Sequence, residues 1–203
     1  MTFRRQHAFG FFLAAFLTGD FAFQIQSVAV AWQVFEIRHA TIDLCLVGLA
    51  AFLPTFVLAL VAGHIADRYD RKRIALLAAI GSTLSSVAFV VLAILQVQAI
   101  MPYLGVVLGL GIVHALGGPA EGTLLVSIVP PERFLTASAR FSALGELVVI
   151  GGPAAGGALI ALGPPIAFSV SAAISAVSVV ALALLFVEPR PPAETAPTLR
   201  DAF

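Results

Sequence analysis

Six long apolar stretches, separated by short polar breaks, set the pattern of this 203-residue chain. They fall near 8–36, 44–66, 74–95, 102–126, 136–161 and 164–187. Each is long enough to cross about 30 Å of hydrocarbon, which takes about 20 helical residues. Backbone N–H and C=O groups find no water partner in lipid, so each stretch is read as a helix. The stretches lack the short alternating segments of a membrane barrel's strands. The breaks at 37–43, 67–73, 96–101, 127–135 and 162–163 are short, which makes successive helices antiparallel neighbours. The expected fold class is an all-α membrane protein, with six transmembrane helices in one bundle spanning residues 1–187. The segment 188–203 is different: Pro189, Pro191, Pro192 and Pro197 are mixed with Glu188, Arg190, Glu194 and Arg200. It reads as an extended linker leaving the membrane.

Composition agrees. The chain is 60% hydrophobic and only 11% charged, against about 25% charged in soluble domains. That is too little charge to cover a globule in water, so the lipid bilayer is the expected surrounding. A net charge of zero argues against a nucleic-acid role. The single cysteine, Cys45, excludes an internal disulfide, and no Cys/His spacing resembles a metal site. No Ser/His/Asp set and no phosphate loop is present, so an enzyme is not expected, nor is a cofactor. The first apolar stretch follows Arg4 and Arg5, as in a signal peptide, but is too long for a signal core of roughly 7–15 residues.

The placement of charge orients the bundle. If six helices alternate, ten of the eleven Lys and Arg residues fall on one side and Arg38 alone on the other. Basic loops stay in the cytoplasm, so both termini are expected there. Glu36, Arg38, His39 and Asp43 then crowd the first outer loop and read as a solvated turn. The pairs Gly105/Gly109 and Gly152/Gly156 have the spacing that lets helices approach closely. For Gly105/Gly109, packing alone is the favoured reading. Pro54 and Pro153 lie inside helices and remove backbone donors there.

The densest polar feature is Gly63-His64-Ile65-Ala66-Asp67-Arg68-Tyr69-Asp70-Arg71-Lys72-Arg73, between the second and third apolar stretches. Gly63, Asp67, Arg68, Arg71 and Lys72 resemble the helix 2–3 signature of the major facilitator superfamily. Asp70 stands where that signature has a second glycine, a form similar to the branch containing enterobactin exporters and macrolide efflux proteins. Two more stretches carry the resemblance. Gly19-Asp20 followed by Val28-Ala29-Val30-Ala31-Trp32-Gln33-Val34-Phe35 looks like that branch's first helix. Gly152, Pro153, Gly156 and Gly157 look like the Gly-Pro-x-x-Gly-Gly core of the exporter motif in helix 5. Val148 stands where the full exporter motif has a glycine, and the basic residue often found in helix 4 of proton antiporters is absent.

The resemblance implies one six-helix half of a major facilitator-type bundle. It implies a secondary transporter in the bacterial inner membrane, exporting a small amphipathic, drug-like or siderophore-like compound by proton-coupled alternating access. The partner would be a second six-helix half, in the same chain or a separate one. A non-transporting six-helix fragment or regulatory module is the alternative. In the family, the aspartate and arginines of the 63–73 segment lock the two halves together on the cytoplasmic side. By resemblance, Gly63, Asp67, Arg68, Asp70, Arg71 and Lys72 form the gating motif, with Glu121 of helix 4 as an acid for Arg71.

Other candidates come from the residues themselves. An aspartate at mid-bilayer costs about 2.5–3.5 kcal/mol on insertion scales, so Asp20 should face a partner or a wet cavity. Gln24 and Ser27 follow on the same helical face, and the stripe reads as cavity-lining. Gln26 and Gln33 form a second polar line. Glu146 is a proton-coupling candidate, since protonation would remove the cost of burying its charge and change the favoured state. His114 is a weaker one, because a packing histidine is more common. Phe12, Phe16 and Phe23 have roughly helical spacing and read as packing or lipid faces.

Overall fold

The computed structural model describes residues 2–68 and 70–185, with side chains described for 8–59 and 70–185. The linker expected at 188–203 lies outside the described residues. Among the described residues there are six helices and no strands: α1 Thr2–Arg38, α2 Thr41–Arg68, α3 Arg71–Ile94, α4 Ile100–Ile128, α5 Pro131–Ile160 and α6 Pro164–Leu184. All six contain stretches long and apolar enough to cross a membrane.

Local chemistry sets several ends. Asp70 is the N-cap of α3, and its carboxylate accepts the backbone N–H of Arg73 at 2.9 Å. Prolines sit at the first turns of α5 and α6, where a missing N–H costs nothing and φ is already helical. Gly163 precedes α6 at φ 118°, a backbone setting that glycine adopts without strain. The helix continues through Pro54, Pro119 and Pro153. The break after α2 is shorter than the sequence suggested. Helix persists to Arg68 and resumes at Arg71, so Gly63, Asp67 and Arg68 lie in the end of α2 and not in a loop.

The packing has a two-fold pattern. α1 packs on α5 and α6, α4 packs on α2 and α3, and α3 packs on α6. Exchanging α1–α3 with α4–α6 maps this pattern onto itself. A triple of helices is odd, so the second runs inverted relative to the first. Inverted triples of this kind are a common plan for transporter bundles. α1, α3, α4 and α6 form the middle, with α2 and α5 outside.

Two apolar cores lie at opposite ends of this middle group. One joins Phe12, Phe16, Ile74, Leu124 and Leu182. The other joins Val34, Phe89, Tyr103, Val107 and Phe168, with Phe89 stacked on Phe168 at 5.2 Å between ring centres. Between the cores the inward positions are largely polar or small. The outward positions of α2 and α5 are large and apolar, including Phe52, Phe56, Leu147 and Ile150. Lipid tails are as apolar as leucine, so such faces carry no penalty in a bilayer.

Phe12 and Phe16 are buried in the first core, as packing residues. The expected packing role of Gly105 and Gly109 is not met: a Cβ at either would find nothing within 4 Å. Close approach occurs instead at Gly111, against the Ala51 carbonyl of α2, and at Gly117, against Ala78 of α3. The turn between α1 and α2 is also drier than expected. Arg38 and His39 are exposed, but Asp43 is only 1% exposed and pairs with the Arg38 Nε at 3.5 Å. It stands in the first turn of α2, where the helix dipole favours an anion.

Candidate intramembrane ion site

Four helices bring ionisable and hydroxyl side chains to one cavity between the two cores. Asp20 comes from α1, Ser82 from α3, His114 and Glu121 from α4, and Ser175 and Ser178 from α6. Phe16 and Leu182 also line it, so it lies towards the end of the bundle where α3 begins and α6 ends.

Glycines place these groups. A Cβ at Gly19 would meet the Ser178 Oγ at 3.1 Å, so the glycine beside Asp20 lets α6 bring Ser178 close. Gly117, one turn before Glu121, lets α4 settle on α3. A Cβ at Gly81 would meet Val113, next to His114, at 2.7 Å. Each ionisable group thus sits beside a point of close helix approach.

The cavity holds about 50 Å³ of free space. A water needs only about 10–15 Å³ of such space, whereas drug-sized ligands occupy pockets of about 300–1,000 Å³. This is a space for waters or a small ion, not for an amphipathic substrate. Asp20, His114 and Glu121 are each half-buried. The His114 ring packs on Phe23 with centroids 4.2 Å apart. The Asp20 and Glu121 carboxyl groups lie within Coulombic reach of each other. Among the described residues, no Lys or Arg lines the cavity. Two carboxylates in a low-dielectric space resist being charged together, and a proton or a cation between them relieves the repulsion.

The sequence candidates separate in the structure. Asp20, His114 and Glu121 come together. Gln24 and Ser27 do not line the cavity: Gln24 packs against Gly152 of α5, and Ser27 donates to the Gln24 carbonyl at 2.9 Å. Glu146 is exposed on α5 and is not part of the lining. Glu121 and Arg71 form no ion pair within 4 Å among the described residues; Glu121 faces Asp20's cavity instead. Of the gating motif, the side chains of Gly63, Asp67 and Arg68 lie outside the described residues. Lys72 donates from Nζ to the Ala183 carbonyl at the end of α6, at 3.1 Å. In the helix-5 motif, Gly152 and Gly156 face α1, while a Cβ at Gly157 would meet nothing within 4 Å.

The α6 serines are buried polar residues outside the sequence candidates. Ser171, Ser175 and Ser178 are all buried on one face of α6. Ser171 donates to the Ala22 carbonyl at 2.9 Å and towards the Gln26 Oε1 at 3.3 Å. Ser86 also donates to Gln26, and Thr83 bonds Ser175 at 2.8 Å. The signal was the four- and three-residue spacing along α6, which marks one helical face.

Residues 2–201 match the family described as transmembrane secretion effector. The multidrug efflux pump Tap of Mycolicibacterium fortuitum is 33% identical over 120 residues, which is 58% of this chain and 29% of that protein. The matched part of the chain thus spans under a third of the length of that relative.

Proposed function

Since the chain belongs to the transmembrane secretion effector family of the major facilitator superfamily, we propose that it forms one half of a proton-coupled exporter. The second half would lie in the same polypeptide or a separate one. The inferred cargo is a small amphipathic compound, as the name of the efflux-pump relative suggests. It would bind between the two halves, because the internal cavity is too small for it. The inferred setting is the bacterial inner membrane with both termini in the cytoplasm.

The observation that carries this reading is the meeting of Asp20 and Glu121 in one cavity whose lining, among the described residues, has no Lys or Arg. The pair takes a proton, and its charge state biases the balance between inward- and outward-open arrangements. Because Asp20 is on α1 and Glu121 on α4, the proton also bridges the two inverted triples. The segment from Gly63 to Arg73 serves, by the resemblance, as the cytoplasmic gate between the two halves.

The test is proton-driven efflux of a fluorescent lipophilic amine from proteoliposomes. It is run with this chain alone and with this chain plus a six-helix partner half encoded beside it. Asp20→Asn and Glu121→Gln should each abolish pH-gradient-driven efflux by the paired halves, while Glu146→Gln leaves it intact. Gradient-driven efflux that survives both neutral replacements overturns the assignment. If the paired halves move no substrate, the reading as a non-transporting membrane module replaces it.

A further inference from the structure

We propose that the corner of the bundle where α3 begins and α6 ends binds one anionic phospholipid. Its phosphate sits on Arg73 and Lys72, and an acyl chain runs along Leu77, Ile80 and Leu84. The site needs the chain to be in a membrane but does not depend on transport.

Arg73 is a cation of the 63–73 segment to which the gating motif gives no role. Its side chain is exposed. It heads a stripe at four- and three-residue steps: Leu77, Ile80, Leu84, Val87 and Val91, all exposed. Such steps mark one face of a helix. Leu77 is 69% and Leu84 64% exposed, so among the described residues nothing covers this face. A charge that only fixes topology can stand anywhere in the break. This one stands in line with the face that meets lipid.

α6 supplies the second wall. Lys72 Nζ donates to the Ala183 carbonyl, and Thr83 bonds Ser175. The two helices therefore run antiparallel, with Leu77 and Ile80 near the depths of Val180 and Val177. Those valines are exposed as well. An ammonium has three donors, so the bond to Ala183 fixes the Lys72 charge at the seam between the helices and leaves donors for a phosphate. From Arg73 to Leu84 the helix rises about 16 Å, which is about half of the 30 Å hydrocarbon core and so the depth of one leaflet.

The charge is one-sided. α3 contains no Asp or Glu, and α6 contains no charged residue. Among the described residues, Arg71, Lys72 and Arg73 make no ion pair within 4 Å, and the Asp70 carboxylate is turned to the Arg73 backbone N–H. At the other end of the same two helices, residues 94–99 and 161–166 carry no charge. A lipid phosphate is thus favoured in one leaflet only, the one that meets the start of α3. Cations near the surface favour lipids of net negative charge, whereas the choline of phosphatidylcholine cancels its phosphate.

Native mass spectrometry of the purified chain in detergent tests the site, with dioleoyl phosphatidylglycerol and dioleoyl phosphatidylcholine titrated separately. One phosphatidylglycerol per chain should stay bound, about tenfold or more tighter than phosphatidylcholine, since each cation near an anionic head is worth about fivefold. Arg73→Gln should weaken phosphatidylglycerol about fivefold, and Arg73→Lys should keep most of the affinity. Arg133→Gln, which removes an exposed cation at the start of α5, should leave it unchanged. Elution profile and helical circular dichroism check that every variant is folded. A folded wild-type chain that does not prefer phosphatidylglycerol overturns the site. A preference that survives Arg73→Gln, or falls equally in Arg133→Gln, makes net charge the cause and overturns it too. Displacement of the bound lipid by glycerol 1-phosphate would mean that the phosphate alone is recognised, which overturns the lipid assignment. Release of the lipid on adding a six-helix partner half gives the corner to a protein occupant and overturns it as well.

Discussion

Lys72, at the start of α3, donates from its Nζ to the backbone carbonyl of Ala183, at the end of α6. The last carbonyls of a helix have no partner within it, and the dipole there favours a cation. The residue that the sequence assigns to topology and gating thus also ties two neighbouring helices. Lys72→Met should lower stability by about 0.3–1 kcal/mol, and Lys72→Arg should keep most of it. Thermal unfolding in detergent reads the difference. Arg73→Gln is the comparison, since the Arg73 side chain is exposed. An equal loss in both variants would show that net charge, and not the Ala183 contact, sets the effect.

Asp70 occupies the position where the superfamily signature has glycine, and it caps α3 through the Arg73 N–H. Its φ is −60°, so glycine's freedom is not needed there. Replacing an N-cap aspartate by alanine costs about 0.5–2 kcal/mol, and by glycine only a few tenths. The expected order of melting temperatures is therefore wild type near Asp70→Asn, then Asp70→Gly, then Asp70→Ala. Asp70→Ala as stable as wild type would remove the cap from the account.

The hydrophobic pattern made the six helices legible, because lipid demands long apolar runs and satisfied backbone. The helix ends were less so. Capping at Asp70 and the carry-over of α2 to Arg68 depend on backbone geometry that hydropathy does not encode. Asp20 could be picked out because a carboxylate is rare at mid-bilayer. Its partner could not. Glu121 was matched to Arg71 by resemblance, and only the packing of α4 on α1 and α3 shows that it faces Asp20. Gln24 and Ser27 shared Asp20's face by spacing, but that face is wide enough for α1 to meet α5 on one flank and α6 on the other. The α6 serines were invisible singly, since a serine in a membrane helix can simply bond its own backbone, as Ser127 does to Thr123.

Glycines on α5 should divide by what they face. A Cβ at Gly152 would run into the Gln24 side chain, and one at Gly156 would press on the Ile25 main chain at 3.1 Å. Overpacking of this kind costs about 1–3 kcal/mol, so Gly152→Ala and Gly156→Val should both destabilise the bundle. Gly157→Ala meets open space and should be neutral, or stabilising by up to about 1 kcal/mol through helix propensity. Gly105→Ala and Gly109→Ala should behave like Gly157→Ala when this chain is studied by itself. Unfolding temperatures for the five variants check the division. If Gly157→Ala is as harmful as Gly152→Ala, the motif's glycines act through backbone flexibility and not through contact with α1.

The Gln26 cluster gives the last prediction. Gln26 is 2% exposed, and its Oε1 takes hydrogen bonds from Ser86 on α3 and Ser171 on α6, while its Nε2 has no partner among the described residues. Gln26→Leu removes the shared acceptor, but it also removes an unpaired buried donor. Both serines keep a backbone acceptor, Ser86 at the Ser82 carbonyl and Ser171 at the Ala22 carbonyl. The loss should therefore be small, on the order of 1 kcal/mol. Ser86→Ala combined with Ser171→Ala is the harsher change, because it leaves the whole Gln26 amide buried and unpaired, at about 1–3 kcal/mol for a stranded polar group. Adding Gln26→Leu to that double variant should restore stability in part. Such rescue is a coupling that independent sites do not show. Chemical or thermal unfolding of the single, double and triple variants measures it directly. A triple variant less stable than the double would mean that Gln26 holds the bundle through contacts other than these two serines.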